Sequence, residues 1–124
     1  MLAAIYGGIV IAQTGTTAQH GIGYALTTQF GASHGLVNGI VMKQMMLKHY
    51  KHIKEELDDL FAYLQITMNE FFEWLDSLEM SLGFTPENDF IDKYAPEVLK
   101  AKNIKINPYP ISVEEIKEIY KSLS

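Results

Sequence analysis

The sequence predicts an all-α fold, a multi-helical bundle, and three observations carry that prediction. Apolar residues recur at helical spacing, as in Met68, Phe71, Phe72, Leu75, Leu78 and Leu82, with acidic residues elsewhere around the wheel. Helix boundaries are written into the chain, most clearly where Ser112 and Glu115 form a capping box. No alternating strand pattern, internal repeat or low-complexity tract competes with this reading.

The elements follow in order. Leu2 to about Gln13 is apolar on every side, which predicts a buried, central helix. A second helix is predicted over Thr17 to Phe30, and a third from Ser33, its N-cap, to about Tyr50. That third helix either continues or breaks briefly into "HIKEELDDLFAYL". A fourth spans Thr67 to Leu82 and stops at Gly83, a residue suited to a helix C-terminus. "TPENDFIDKY" opens a short helix with Pro86 in its first turn, and "APEVLKA" begins another. The last helix follows Ser112; Ile111 and Ile116 fit a hydrophobic staple, and Ile116, Ile119, Tyr120 and Leu123 give it one apolar side.

The 124 residues suffice for a single domain with its own core, but charge divides them into two zones. Residues 1–42 hold no Asp, Glu, Lys or Arg and eight of the nine glycines, whereas residues 43–124 are amphipathic and carry only Gly83. A net charge of −5, with every basic residue a lysine, argues against nucleic acid, where phosphate contacts dominate affinity. The chain has no cysteine, which excludes disulfides and thiolate sites and allows a cytoplasmic setting. A spanning helix needs roughly 20 apolar residues, and polar Gln13, Thr14, Thr16 and Thr17 close the first run too soon. No membrane is expected, although Gly31, Gly35 and Gly39 form a small-xxx-small pattern of the kind that lets helices pack closely.

His20 and His34 stand fourteen apart in the uncharged zone. On one straight helix the rise would separate them by roughly 21 Å, too far for one ion. Gly31 and Ser33 lie between them, and a corner there brings both imidazoles to one point, with His34 at a helix N-terminus that keeps the ring neutral. From the residues alone two readings stay open: a hydrogen-bonded cleft pair, or two ligands of a shell that needs three or four. His49 and His52, in "KHYKHIKEE", read as part of a solvated helix face among lysines and glutamates.

At these residues the chain resembles a known family. "GTTAQHGIGYALTTQFGASHGLVNGIVM" is similar to the metal-binding stretch of the iron-containing alcohol dehydrogenases, whose two ligand histidines, the second followed by glycine, share this fourteen-residue interval. "LAAIYGGIVIA" resembles the apolar helix before those ligands, "WLDSLEMSLGF" a helix ending in a leucine-glycine turn, and "NPYPISVEEIKEIY" the closing Asn-Pro segment and final helix. The resemblance implies that His20 and His34 are metal ligands, that the metal is iron or zinc, and that the fold is the family's C-terminal helical portion.

The departures carry equal weight. The family's nucleotide-binding domain with its Gly-Gly-Gly-Ser loop is not in this sequence, nor is the Asp-x-x-x-His stretch that supplies two further ligands. The expectation is a truncated gene product, a split-gene half or an engineered fragment corresponding to the C-terminal third of a family member. Where the family commonly has a second histidine four residues after the first ligand, Tyr24 stands, one turn from His20 on the same helix face. Tyr24 is either a cleft residue near the reacting groups, ill suited to relay protons with an ordinary pKa of about 10, or a packing partner of Phe30. The resemblance implies hydride transfer between an alcohol and NAD(P), completed only by a nucleotide-binding partner chain. The alternatives are a non-catalytic helical oligomer and a membrane-associated helical protein. An uncovered apolar helix and cleft face predict a homo-oligomer, most simply a dimer.

Overall fold

The computed structural model describes residues 2–123, and every regular element among them is helical. The helices are α1 (Leu2–Thr14), α2 (Ala18–Phe30), α3 (His34–Leu64), α4 (Met68–Ser77), α5 (Asn88–Val98), α6 (Lys102–Lys105) and α7 (Val113–Ser122). The first half of α3 packs on α2, and α5 and α7 close the core against them. Ile22 and Leu26 from α2, Val37 and Val41 from α3, Ile91 and Ala95 from α5, and Ile116 and Ile119 from α7 are almost wholly removed from water. Burial of a side chain of this kind contributes about 1.5–3 kcal/mol, so this cluster is the main source of stability. Ile111 and Ile116, the two residues of the staple, are both in it.

Long-range polar contacts then fix α2 within the bundle. The Tyr120 hydroxyl donates to the Ile22 carbonyl at 2.9 Å, with the ring itself fully buried. That burial pushes the phenol's pKa well above its ordinary value, so it stays a donor. At the start of α2 the N-cap residue Thr17 makes no side-chain cap. Asn107 replaces it, its Oδ1 accepting from the Ala18 N–H at 3.2 Å from 89 positions away. Asn103 Nδ2 donates to Thr16, through its hydroxyl and its carbonyl. The Asn-Pro segment near the C-terminus therefore caps the helix that carries His20.

Several sequence expectations meet corrections. α1 is not central: every described residue in it is exposed, including Ile5, Tyr6, Ile9 and Val10 at half or more of their surface. Because the helix is apolar all round, no face of it is singled out for the core formed by the other helices. At 13 residues it is about 20 Å long, and no helix among the described residues is long and apolar enough to cross a membrane. α3 runs on past Tyr50 with a kink at Ile53 (φ −122°, ψ 23°), which resolves the break or continuation left open by the sequence. α4 stops at Ser77 rather than Leu82, where Glu79 takes a left-handed φ of 47°. Leaving the helix there lets Met80 sit on Gly39, where even a Cβ would lie 2.6 Å from its sulfur. α5 begins at Asn88, two residues beyond Pro86, and "APEV" is its last turn rather than a new start.

Both capping boxes form, the predicted one at Ser112–Glu115 and an unanticipated one at Thr67–Glu70. The small-residue stripe does not mediate helix packing as a unit, since Gly31 and Gly35 have nothing within 4 Å of a built Cβ.

Tyr120→Phe keeps the ring in the core but removes its bond to α2. It should cost about 1 kcal/mol in urea unfolding, because the Ile22 carbonyl remains inside the α2 hydrogen-bond ladder. A loss within experimental error would show that the bond contributes nothing net.

Candidate metal centre

The corner between α2 and α3 is built by Gly31, Ala32 and Ser33. Gly31 takes φ 67°, the left-handed conformation that ends α2, and its N–H donates to the Thr27 carbonyl at 3.0 Å. Ser33 then starts α3 as its N-cap residue, though without a side-chain cap bond. His34 is the first residue of α3 and His20 the third of α2, so both lie near helix N-termini. The turn reverses the chain, and the two imidazole centroids come to 5.3 Å apart with planes inclined at 59°.

Close helix approach makes this distance attainable. A Cβ built on Gly23 would stand 3.2 Å from both Val37 Cγ1 and Asn38 Oδ1, on the facing side of α3. Gln19 Nε2 adds a bond to the Asn38 carbonyl at 2.7 Å. Two imidazoles binding one tetrahedral ion at the usual metal–nitrogen length place their centroids about 5 Å apart, and the spacing of the observed pair matches that.

The electrostatics agree with that fit. Partial burial, and next the neighbouring His34, lower the pKa of His20 below its ordinary value. A neutral imidazole is the form that ligates. Among the described residues no group of three or more His, Asp or Glu that could hold a metal ion is present, so these two rings are the candidate donors at this corner.

Two more side chains hold His34. Tyr24 stacks on it with centroids 5.3 Å apart and planes only 18° from parallel, while meeting His20 edge-on at 6.3 Å. Tyr24 does not pack with Phe30, whose ring instead meets Phe84 at 4.6 Å and Phe90 at 4.9 Å. Asn38 donates from Nδ2 to the His34 carbonyl at 2.9 Å, with the same nitrogen 3.1 Å from His34 Nε2. Sequence reasoning assigned Asn38 no role. Its position four residues after His34, one helical turn onward, was the signal that could have found it.

His49 and His52 are placed elsewhere, and not on a fully solvated face. His52 stacks on Tyr109 at 4.6 Å and 9°, and His49 meets the same ring edge-on at 5.9 Å. His49 is half-buried, with its Nε2 shielded from water and without a hydrogen-bond partner. Burial, with the nearby His52 and Lys51, lowers its pKa, although Glu115 pulls the other way. The pair anchors the segment that carries Asn107.

Fold and corner together define an all-α domain with a pair of juxtaposed imidazoles at the rim of its core. The chain belongs to the Fe-containing alcohol dehydrogenase family, whose C-terminal family model matches residues 1–124. It is similar to the crystal structure of an iron-containing alcohol dehydrogenase from Thermotoga maritima, with 31% identity over 91% of this chain and a TM-score of 0.74. A second solved iron-containing alcohol dehydrogenase matches at 31% identity over 91% of the chain, with a TM-score of 0.75. The matched region spans 31% and 30% of those two chains. Among curated proteins no significant match was found.

Gly23→Ala tests the close approach. Alanine favours the helix by up to about 1 kcal/mol over glycine, but here its methyl meets fully buried Val37. The nuclear Overhauser contacts between the His20 and His34 rings should weaken in Gly23→Ala and persist in Gly35→Ala, where a Cβ meets nothing. Unchanged contacts in both variants would remove Gly23 from the account of the site.

Proposed function

We propose that this chain is the metal-holding helical portion of an alcohol dehydrogenase, with His20 and His34 as two ligands of a divalent iron or zinc ion. The observation that carries the reading is the 5.3 Å approach of two imidazoles from positions fourteen apart, in the family to which the chain belongs. A divalent ion held there supplies Lewis acidity to the oxygen of an alcohol.

The chain's own residues do the rest of the local work. His20 and His34 offer imidazole nitrogens, which suit iron and zinc alike. Asn38 and Tyr24 hold the His34 ring in place from two sides. Tyr24, nearly half exposed and stacked on His34, stands beside the position at which an alcohol would meet the ion. From there its hydroxyl could offer a hydrogen bond to a substrate.

Hydride acceptance belongs to NAD(P), and these 124 residues contain no glycine-rich phosphate loop following a strand. The full reaction on a small alcohol or aldehyde therefore requires a nucleotide-binding domain beside this one, in the same assembly. We assign this chain no catalysis by itself.

Assembly of the helical part is also proposed. α1 exposes Leu2, Ile5, Tyr6, Ile9 and Val10 along a helix with no charged residue. An apolar surface of that kind marks a contact site. We infer a two-fold homodimer in which α1 is covered by the partner copy.

Two outcomes check these statements. Zinc titrated by calorimetry should bind the isolated chain weakly, because two donors fall short of a full shell, and His20→Ala or His34→Ala should each abolish it. NAD+ should give no heat in the same instrument. Stoichiometric zinc in the double-alanine variant would show that the wrong residues have been chosen. For assembly, light scattering should find a dimer that Ile9→Lys dissociates, with thermal stability falling in parallel. A stable monomer at micromolar concentration would exclude the dimer.

A further inference from the structure

The hairpin formed by the second half of α3 and by α4 carries a surface used neither by the histidine corner nor by the main core. Leu57, Phe61, Phe72 and Leu75 form its inner side and are buried outside the principal cluster. α4 makes its substantial helix contacts with α3 alone.

Its outer side combines exposed apolar groups with unbalanced charge. From Glu55 to Glu79 the chain has eight carboxylates and not one lysine or arginine. Asp58 is paired with Lys54, and Asp76 with Lys43 at 2.7 Å. Glu56, Asp59 and Glu73 have no ion-pair partner among the described residues. Hydrogen bonds from Thr67 in the capping box hold the Glu70 carboxyl below its ordinary pKa, so it too stays charged.

Leu60, Leu64 and Leu78 are each close to half exposed, Trp74 slightly more, and Tyr63 is 85% exposed. Helical spacing interleaves the two kinds of group. Glu56 lies one turn before Leu60, Asp59 one turn before Tyr63, and Glu70 one turn before Trp74. Rings continue the strip inward, with Phe71 5.7 Å from Trp74 and 5.6 Å from Phe61. The result is an apolar strip edged by carboxylates.

The charge decides what covers it. A second copy of the same strip would bring like charges together, and nucleic acid or an anionic membrane would be repelled. A helix with an apolar stripe and basic flanks satisfies both halves of the pattern. This surface lies far from the histidine corner. His34 opens α3 and Leu64 ends it, roughly 45 Å apart along a straight helix and somewhat less with the kink at Ile53.

We propose that the α3–α4 hairpin is a docking surface for a basic amphipathic helix of another protein. Its apolar stripe lies on Leu64, Trp74 and Leu78, and its lysines or arginines face Glu56, Asp59 and Glu70. This interaction is independent of metal and of alcohol oxidation.

Trp74 is the only tryptophan in the chain, so its emission reports on this surface directly. The probe is a short synthetic peptide with leucine and lysine at helical spacing and no tryptophan; its counterpart replaces lysine by glutamate. The lysine peptide should shift Trp74 emission to the blue, saturate at one per chain, and weaken about tenfold or more as salt is raised from about 0.05 to about 0.5 M. Glu56→Lys/Asp59→Lys should weaken it about tenfold, and Leu64→Ser should also weaken it; all three positions are exposed, and circular dichroism should show the fold unchanged. Equal binding of the glutamate peptide, binding that leaves Trp74 emission unchanged, or affinity untouched by these variants would overturn the proposal. So would self-association of the chain that the same variants abolish, since a second copy would then be the occupant.

Discussion

The organisation of this molecule depends on α2 being held from both ends of the remaining sequence. The helix contains no charged residue and has little amphipathic character, so its own sequence does not orient it strongly. Its burial positions it: Ala18, Ile22 and Leu26 are fully inside, among residues of α3, α5 and α7. Tyr120 then fixes its rotation and height through one buried hydroxyl on the Ile22 carbonyl, and Asn107 closes its N-terminus. Both groups come from the last stretch of the chain. His20 lies between those two attachment points, so the placement of the candidate ligand is set by residues that never touch it.

The histidine corner shows how an ordinary helix connection becomes a site. Gly31 supplies the left-handed turn, Gly23 the close helix approach, and Asn38 and Tyr24 the contacts that hold His34. Each of these is also a folding device, as a C-cap, a packing point, a helix-surface bond and an aromatic stack. None of the buried residues is charged, and the rings sit at the rim of the core with His34 exposed. That placement keeps the cost of desolvating the two imidazoles low.

Beyond the core, two parts of the molecule look outward for different physical reasons. α1 is apolar without a polar face, and its exposure is an unsatisfied hydrophobic surface. The α3–α4 hairpin has its own small interior, a left-handed C-cap on α3, a capping box on α4 and a charged rim, and it presents Trp74 and Tyr63 to solvent. The first is apolar throughout, whereas the second sets apolar groups beside a rim of carboxylates.

Much of this was legible in the sequence. Helical spacing and capping chemistry located the amphipathic helices from Thr67 onward, because an exposed face beside a buried one leaves a periodic trace. The fourteen-residue interval with a glycine corner, read together with the family resemblance, identified His20 and His34 as a pair. Where the trace failed, the reasons are physical. α1 looked like a core helix because uniform hydrophobicity records a preference for burial but names no partner. α4 ended early, and the chain beyond it places Met80 on Gly39, a contact between positions far apart in sequence. Asn107 stood in the sequence only as part of the closing Asn-Pro segment, and only the folded chain brings it to the start of α2. Local chemistry determined which segments are helical and which side chains are fit to ligate. Long-range packing alone decided that two imidazoles from successive helices stand 5.3 Å apart, because that distance depends on how closely two backbones approach.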